Sequence, residues 1–318
     1  MNTNGIARAS IVWEALSFRI CAQGDLVTQG KIRRLQASVG RRELCSLPLF
    51  LLALSAGAGT TFAGFVELRE ATLRGFREYV AKVEQQNQAS LKNGKFLWVD
   101  ELPADARNSD YTKLKQGEVV MQHVTPGENG KSTEIPGGMI HDWQGMVFIP
   151  GVTLDQVLAA LQDYNNHAKY YAPDVQRSRI ESHDGDHFRV FMRFRRHKIV
   201  TVVLNTEQDI TYFRDSPTLA HSRSTATRIR EVANPGASDE REKSPNEDNG
   251  FLWQMETWWR MEERDDGVYV QNEAVTLTRD IPTGLGWLIE PFVISIPKET
   301  LEFTLGATRT AVLAHGRS

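Results

Sequence analysis

The feature of this sequence that most constrains its fold is a series of six strand-like segments between residues 175 and 279, separated by turn signals. The segments cover residues 175–182, 187–194, 199–213, 219–232, 251–262 and 268–279. Alternation of apolar and polar residues is typical of strands with one buried face, and short turns such as Asp184-Gly185-Asp186 join antiparallel neighbours. So many successive hairpins predict a large antiparallel sheet, and its apolar face must be covered by a second layer.

Helical segments lie on both sides of this series. Residues 139–149 have the composition of a strand, and Thr153 and Gln156 then fit a capping box that begins a short helix. A second short helix is predicted over 164–171. After the last strand, Pro297 suits the first turn of a terminal helix. The buried stripe of that helix is predicted to be Leu301, Leu305 and Val312, with Thr308 among them.

This order of elements indicates an α+β fold, in which an antiparallel meander is closed by one long C-terminal helix. Residues 118–124 are predicted to form one extra strand. Over 66–87, apolar residues recur at near-helical spacing among charged ones, which predicts an amphipathic helix that needs a surface to lie against. The chain is predicted to divide into an extension with a signal segment (1–63), a helix with a connector (64–116) and a main domain (117–318).

The N-terminal region has the layout of a secretory signal. Two arginines precede an apolar run at 47–54, and small residues follow it. Thr61 and Ala63 suit the small pockets before a cleavage site, and the run is shorter than the roughly 20 apolar residues of a membrane span. We therefore expect a mature chain that begins near Gly64 and is exported, to the periplasm or beyond. The alternative is that the segment stays uncleaved and anchors the protein.

Composition and charge argue against nucleic-acid binding. The formal net charge is -3, and phosphate recognition needs clustered Lys and Arg. The densest basic cluster lies between two strand-like segments and is predicted to be a solvated hairpin tip: Arg193, Arg195, Arg196, His197 and Lys198. Residues 234–250 are rich in Pro, Gly, Ser and charged residues, which predicts a mobile loop. The two cysteines precede the expected cleavage site, so the mature chain would have none.

The order of elements resembles the helix-grip architecture of the START/Bet v 1-like (SRPBCC) superfamily, in which a curved antiparallel sheet wraps a long C-terminal helix. Two short helices follow the first strand. Four segments are also similar to bacterial members of this superfamily: Ile140-His141-Asp142-Trp143, Asp163-Tyr164-Asn165, Gly250-Phe251-Leu252-Trp253 and residues 278–287. They carry no assigned chemistry, so no residue role is transferred. The resemblance implies a ligand-binding domain at 117–318, with a cavity between sheet and helix that usually holds lipids, sterols, polyketides or other apolar molecules.

One face of two late segments is a candidate lining for such a cavity. Alternate positions of 251–261 are bulky and mostly apolar, and 188–194 repeats the pattern against arginines. Aromatic surface is a large source of binding energy, although the same side chains could simply fill a core. Tyr164, Tyr170 and Tyr171 are expected at the mouth, near the two short helices. The predicted ligand-binding residues are Tyr170, Tyr171, Phe188, Val190, Met192, Phe194, Trp253, Met255, Trp259, Trp287 and Phe292.

No catalytic signature accompanies this lining. The acid-base candidates are His141, Asp142, His167, His187, Glu256 and Glu273. Adjacent strand residues point to opposite faces, so His141 and Asp142 are not expected to meet. The sequence has no spacing typical of zinc ligands, no glycine-rich phosphate loop and no serine hydrolase elbow. We therefore predict no catalytic residue, no metal and no cofactor.

Three functions fit these observations. The first is non-catalytic binding or transfer of a hydrophobic, lipid-like small molecule, with transient membrane contact and no nucleic-acid partner. The second is an enzyme of the cyclase or dehydratase type that acts on an apolar substrate in the same cavity. The third is a membrane-associated module that uses residues 285–296 as an interfacial patch. The enzyme hypothesis requires titratable side chains that face the cavity.

Overall fold

A computed structural model shows an antiparallel sheet packed against the C-terminal helix. It describes residues 60–124, 134–197, 201–245, 247–280 and 286–315, with backbone alone for 60–69, 134, 286–294 and 315. The strands in these ranges are β1 (Val120–His123), β2 (Glu134–Ile135), β3 (Gly138–Pro150), β4 (Val175–Asp184), β5 (His187–His197), β6 (Thr201–Ser216), β7 (Leu219–Ala233), β8 (Arg241–Glu242), β9 (Gln254–Glu263) and β10 (Gly267–Arg279). The α-helices are α1 (Thr60–Lys92), α2 (Ala104–Lys115), α3 (Leu154–Gln162), α4 (His167–Tyr170) and α5 (Gly286–His315), and two 3-10 helices cover Trp98–Glu101 and Tyr164–Asn166.

The strand order is β1-β3-β10-β9-β7-β6-β5-β4, with β2 beside β3 and β8 beside β7. Every pairing is antiparallel. Apart from the short β8, the strands from β4 to β10 run as a meander, and β10 then pairs along its full length with β3. The predicted α+β helix-grip fold is confirmed. None of the described helices is both long and apolar enough to cross a membrane.

Local sequence signals account for several boundaries. Thr153 and Gln156 form the predicted capping box at the start of α3, and both of its hydrogen bonds are present. Gly185 has a φ of +57° in the predicted turn between β4 and β5. The predicted start of the terminal helix at Pro297 is wrong, because α5 already begins at Gly286. An interior proline removes the hydrogen bond of its own N–H and strains the preceding turn, but here the helix continues through Pro297.

The terminal helix comes close to the sheet at Gly145 in β3. A Cβ atom at Gly145 would lie 2.6 Å from Cδ1 of Leu305 and 2.5 Å from Sδ of Met121, so only glycine leaves room for the helix here. Leu305, Thr308 and Val312 are each at most 1% exposed. The stripe predicted for this helix is therefore the face that packs against the sheet.

The inner face of the sheet is packed with side chains at one end. There, residues of β3, β9 and β10 contact α3 and the later turns of α5, which closes this end of the sheet against solvent. Full burial of such a side chain contributes about 1.5–3 kcal/mol. The residues concerned include Val147, Ile149, Leu154, Val157, Leu161, Met261, Val268, Val270, Leu305 and Val312.

The outer face of the same strands is also covered. Phe76, Tyr79 and Val83 of α1 pack on Trp258 and Val275, so the amphipathic helix that the sequence predicts finds its surface here. The segment that follows α1 covers a second area, in which Leu97, Val99 and Leu114 pack on Met146 and Tyr269. The strands β3, β9 and β10 therefore bury side chains on both faces.

Two surface predictions are changed by the structure. The basic hairpin tip is not solvated throughout, because Arg193 is 6% exposed and donates hydrogen bonds to both carboxylate oxygens of Glu240. The loop at 234–250 contains β8 and is anchored by Glu231, which is 5% exposed. Glu231 accepts hydrogen bonds from Lys243 and from the backbone N–H groups of Asn249 and Phe251. Mobility of this loop stays a prediction.

Candidate functional site

A cavity of about 590 Å³ lies between the inner face of the sheet and α5. This volume is within the range of small-molecule binding sites. Inward side chains of β5, β6, β9 and β10 form one wall, and residues 296–304 of α5 form the other. The lining is predominantly apolar, and its bulky members include Met192, Phe194, Leu204, Ile210, Phe251, Met255, Trp259 and Phe303.

The structure brings five of the predicted ligand-binding residues to this cavity: Tyr171, Met192, Phe194, Met255 and Trp259. Phe188 and Val190 face the same side of the sheet, but they are part of the packed core beyond the cavity. Trp253 precedes β9 and packs against the outer cluster, while Tyr170 lies outside the lining and hydrogen-bonds to Asp163. The side chains of Trp287 and Phe292 are outside the described residues. Ligand contact by all of these residues remains a prediction.

Part of the cavity lining is exposed. Phe251 is 44% exposed, and Asn249, Arg195 and Arg279 are exposed lining residues as well. Gly250 has a φ of +75°, and a Cβ there would lie 2.3 Å from Cβ of Arg279, so glycine allows this loop to approach β10. Tyr164 and Tyr171 are buried in the lining, and the expected mouth near the tyrosines stays a prediction.

The buried end of the cavity carries hydroxyl groups that already have partners. The hydroxyls of Tyr164 and Tyr212 are 2.7 Å apart, and that of Tyr171 lies 3.0 Å from Oγ1 of Thr308. Burial raises the pKa of Tyr164 and Tyr212, and it raises the pKa of Tyr171 to about 12 against the opposing effect of its bond to Thr308. These phenols are neutral at physiological pH and act as hydrogen-bonding groups.

His167 lies among these tyrosines and also lines the cavity. Its ring centroid is 4.6 Å from that of Tyr164 and 4.9 Å from that of Tyr171. Burial lowers the pKa of His167 to about 4, although hydrogen bonds to the backbone of Ala160 and Leu161 act in the opposite direction. His167 is therefore neutral at physiological pH.

Further polar groups stand along the walls. Ser224 donates to Oε1 of Gln208 at 3.1 Å, and Gln208 in turn donates to Thr206 at 3.2 Å. On β10, Oδ1 of Asn272 and Oγ1 of Thr276 are buried and have no hydrogen-bond partner. The walls thus provide neutral hydrogen-bonding groups within a mainly apolar surface, a combination that orients small ligands.

The acid-base candidates are spread over both faces of the sheet. His141 faces inward and bonds to Thr278 at 3.0 Å, while Asp142 faces outward and accepts from Tyr79 at 2.8 Å, as strand alternation predicts. Burial, followed by the charge of His123, lowers the pKa of His141 to about 4. Glu256 and Glu273 lie on the outer face and His187 is exposed. Of the six candidates, His167 alone is part of the described cavity lining.

A polar network that the sequence does not reveal lies on the outer face, under α1. Asp142, Arg260 and Glu273 are each at most 5% exposed. Asn87 donates to Glu273 at 2.8 Å, and Arg260 donates to the carbonyl of Phe96 at 2.8 Å. Burial and the neighbouring carboxylate of Glu273 raise the pKa of Asp142, and burial also raises the pKa of Glu273.

Among the described residues, His167 is the histidine of the cavity lining. A relay would need an acid or base with a charged or hydrogen-bonded partner beside the substrate, and His167 stands among phenols and apolar side chains. Among the described residues, no three His, Cys, Asp or Glu side chains lie close enough together to hold a metal ion. The lining combines apolar surface and neutral hydrogen-bonding groups with the charged residues Asp174, Arg195, Arg196, Arg279 and Asp280.

No family model matches the sequence, and no curated protein matches it either. Solved structures do resemble this one. A STAR-related lipid transfer protein from Xanthomonas axonopodis has 16% sequence identity and a TM-score of 0.38, covering 60% of this chain and 98% of that one. Zhui aromatase/cyclase from Streptomyces sp. R1128 has 11% identity and a TM-score of 0.37, covering 56% and 97%. A START superfamily protein from Mycobacterium smegmatis has 10% identity and a TM-score of 0.34, covering 56% and 98%.

These similarities concern the fold alone. The antiparallel meander, the pairing of β10 with β3 and the terminal helix on the inner face are the features of a helix-grip domain. Among the similar structures this fold occurs in a lipid transfer protein and in an aromatase/cyclase. The sheet and the terminal helix form a helix-grip arrangement, with α1 and the segment after it packed on the outer face of the sheet.

Proposed function

We propose that the protein binds a hydrophobic small molecule in the cavity between the sheet and α5, and shields or transfers it without chemical change. The observation that carries this proposal is the cavity itself, about 590 Å³ in volume and lined mainly by apolar side chains such as Met255 and Trp259. Removal of apolar ligand surface from water supplies about 25 cal/mol per Å² before the costs of binding. The exposed Phe251 at the rim adds apolar surface where a ligand would enter.

Transfer between membranes is part of this proposal. Arg195, Arg279 and Phe251 are exposed residues of the cavity lining, a mixture of cationic and apolar groups that suits brief contact with a lipid surface. The signal segment expected before Gly64 would place this activity outside the cytoplasm. N-terminal sequencing of exported material checks that expectation, and exported protein that begins before residue 41 would contradict it.

A blocked cavity tests the proposal directly. Ala274 lies on β10 with its side chain in the lining, so Ala274→Phe adds a ring to the space that a ligand would occupy. Ser182 is exposed on β4, and Ser182→Phe adds an aromatic side chain outside the cavity. Native mass spectrometry of protein prepared without detergent is expected to show an additional apolar mass on the wild type and on Ser182→Phe.

The blocked variant is expected to lose that mass and to bind the fluorescent probe anilinonaphthalene sulfonate at least about tenfold more weakly, which corresponds to about 1.4 kcal/mol. A wild-type protein that carries no additional mass and does not enhance the fluorescence of the probe would exclude the carrier function. Equal probe binding by wild type and Ala274→Phe would place the binding site elsewhere.

An enzyme that acts on an apolar substrate in the same cavity is the alternative, and the observation in its favour is His167. A neutral imidazole in the lining is chemically able to accept a proton from a bound substrate. Product analysis separates the two functions: a carrier returns the bound molecule unchanged, whereas an enzyme returns a molecule with a different mass or an altered absorption spectrum. Loss of that conversion in His167→Phe would assign the role to this residue.

A further inference from the structure

The charged residues of the cavity lining stand near strand ends. On β5 they are Arg195 and Arg196, close to the end of the strand, and on β10 they are Arg279 and Asp280, where that strand ends. Asp174 directly precedes β4, and its backbone carbonyl accepts from the N–H of Arg195 at 2.7 Å. The charges of the lining are therefore collected at strand ends and are not spread along the walls.

Strand pairing shows that these strand ends belong to the same end of the sheet. Phe194 on β5 is opposite Leu204 on β6, and Leu204 is opposite Glu231 on β7. The carboxylate of Glu231 accepts from the N–H of Phe251 at 3.2 Å, in the segment that leads into β9. The N–H of Arg279 donates at 2.8 Å to the carbonyl of the residue before Phe251. A continuous row of contacts thus joins the charged end of β5 to the charged end of β10.

Cationic charge is in excess at this end of the cavity. The guanidinium of Arg196 donates to the carboxylate of Asp174, so these two residues neutralise each other. Arg195 and Arg279 are exposed, and neither guanidinium has a hydrogen-bond or ion-pair partner among the described residues. In the described lining, Asp280 is the remaining carboxylate that opposes these two cations.

The opposite part of the cavity has no charge to offer. Its lining includes Leu161, Tyr164, Ile210 and Tyr212, and burial raises the pKa of both tyrosines, which are therefore neutral at physiological pH. A charged group placed among these side chains would lose its hydration without gaining a counter-ion from the described lining. An ionic head must therefore stay at the charged end, where it keeps contact with water.

We propose that the ligand is an anionic amphiphile, whose chain lies along the apolar walls and whose carboxylate or phosphate head is held at the charged end by Arg195 and Arg279. Guanidinium groups bind both kinds of head through charge-assisted hydrogen bonds. A cationic head would be repelled by the same two side chains, and a neutral head would gain no Coulomb energy from them. This inference rests on the proposed binding function, since it specifies the chemical class of the molecule that the cavity holds.

Molecules with the same chain and different heads test the inference. Dodecanoate and dodecyl phosphate are anionic, dodecanol is neutral and dodecyltrimethylammonium is cationic. Each is titrated below its micelle concentration against protein loaded with the uncharged dye Nile red, and displacement of the dye gives the affinity. The wild type is expected to bind the tighter of the two anions at least about tenfold more tightly than the cation, a difference of about 1.4 kcal/mol.

Two further comparisons belong to the same titrations. The preference for the anion over the cation should shrink when salt is raised to about 0.5 M, because salt screens interactions of exposed charges. The ratio of the affinities for dodecanoate and dodecyl phosphate identifies which of the two heads the site prefers.

Removal of the two cations is expected to abolish the preference. Arg195→Gln and Arg279→Gln should each weaken the binding of the preferred anion about threefold, the usual scale of an exposed ion pair, and together about tenfold. The affinity for dodecanol should stay unchanged. Arg279→Lys keeps the charge and is expected to retain the preference, which separates charge from packing. The control is Arg177→Gln, which removes an exposed arginine on β4 outside the cavity lining and should change none of the affinities.

The outcomes separate the inference from the function on which it rests. Equal affinity of the wild type for the anionic and cationic molecules overturns the inference and leaves the cavity as an apolar binding site. A preference for the anion that persists in the folded double variant also overturns it, because the charge would then act from another place. Failure of the wild type to bind Nile red and all four chain molecules overturns the binding function together with the inference.

Discussion

The inner and outer faces of β3, β9 and β10 differ in what they do with buried polar groups. On the outer face, under α1, the charged side chains of Arg260 and Glu273 have hydrogen-bond partners and lie close to one another. On the inner face, Asn272 and Thr276 have buried polar atoms without partners, beside a cavity of about 590 Å³. The outer face is filled by contacts within the chain, although Oδ1 of Asp142 also lacks a partner, whereas the inner face borders open space.

This difference implies that the two faces have different purposes. A polar network with its bonds made fixes the position of α1 on the sheet, although it adds little net stability over an apolar contact of the same size. Unmet hydrogen bonds and space cost stability in the free protein, and they persist where a ligand uses them. Substitutions that affect each face differently therefore test the assignment of the cavity as the binding site.

The largest effect is expected from Arg260→Leu on the outer face. The substitution leaves the carboxylate of Glu273 without its neighbouring cation and the carbonyl of Phe96 without its donor. Loss of one partner from a buried charged pair costs about 3–5 kcal/mol.

Urea denaturation measures this loss of unfolding free energy. Arg189→Leu is the control, because Arg189 is exposed and pairs with Asp209 at 3.3 Å, and an exposed pair contributes at most about 1 kcal/mol. Equal losses in the two variants would mean that the outer network is not buried as described.

Substitutions of two methionines on β9 allow a comparison between the packed end and the open end of the inner face. Met261 is fully buried in the core, whereas Met255 lines the cavity. Met261→Ala is expected to lower the free energy of unfolding by about 2–4 kcal/mol, because it removes packing contacts and leaves a new void. Met255→Ala enlarges a space that already exists, so its cost is expected to stay below about 1.5 kcal/mol.

Denaturation of both methionine variants in the absence of ligand provides the measurement. An excess of apolar ligand stabilises the folded wild type by mass action, and part of that stabilisation comes from packing of the ligand on Met255. With ligand, the loss of unfolding free energy in Met255→Ala should therefore move closer to the loss in Met261→Ala. A loss for Met255→Ala as large as that for Met261→Ala, without ligand, would show that the cavity is filled by the protein's own side chains in solution.

The dependence of stability on pH should distinguish the outer network from ordinary surface carboxylates. Burial and Glu273 raise the pKa of Asp142. From about pH 4 up to this raised value, the folded state holds a proton that the unfolded state has lost. The free energy of unfolding must then fall with rising pH, by up to about 1.4 kcal/mol per pH unit for one proton. The charged and titratable groups around the two carboxyls are Tyr79, Glu84 and Arg260.

Asp142→Asn removes this titration and still accepts from the hydroxyl of Tyr79. The variant is expected to show a shallower fall of the unfolding free energy between pH 5 and pH 8 than the wild type, in about the proportion of one proton. Urea denaturation at several pH values gives both slopes. Glu181→Gln is the control, because Glu181 is exposed on β4. A slope for Asp142→Asn equal to that of the wild type would place the raised pKa on another group.

The sequence predicts the part of this fold that depends on local pattern. Strand alternation identifies the inward position of Met192, Phe194, Met255 and Trp259, and the capping box at Thr153 locates α3. The alternation is extended too far at Trp253, because the positive φ of Gly250 bends the chain before β9 begins. A tight turn of this kind interrupts the face that a period of two implies.

The remaining features depend on contacts between distant residues. Glu273 alternates with apolar residues on β10 and would be assigned to solvent, but α1 covers it. The sequence offers His167 only as one of six acid-base candidates, because its place in the lining depends on α3, β6 and α5, which the fold brings together. Unmet hydrogen bonds are properties of the folded molecule, so only the structure could show that Nε2 of His167 lacks a partner.

The smallest expected effect comes from the same substitution at two threonines, one on each face. Thr225 faces outward on β7 and donates to Oε2 of Glu256 at 2.7 Å, whereas Oγ1 of Thr276 on the inner face has no partner. Thr225→Val is expected to lower the free energy of unfolding by about 1.5 kcal/mol, the usual loss for a bond to a charged group. Thr276→Val removes only an unsatisfied hydroxyl, so stability should stay constant or rise by up to about 1 kcal/mol.

Urea denaturation without ligand measures the free energy of unfolding of both variants. Because valine replaces threonine at nearly constant volume, the difference between the two variants reports hydrogen bonding. An equal loss of unfolding free energy in the Thr276 and Thr225 variants would mean that the inner hydroxyl already has a partner in the free protein. No ligand would then be needed to satisfy this hydroxyl.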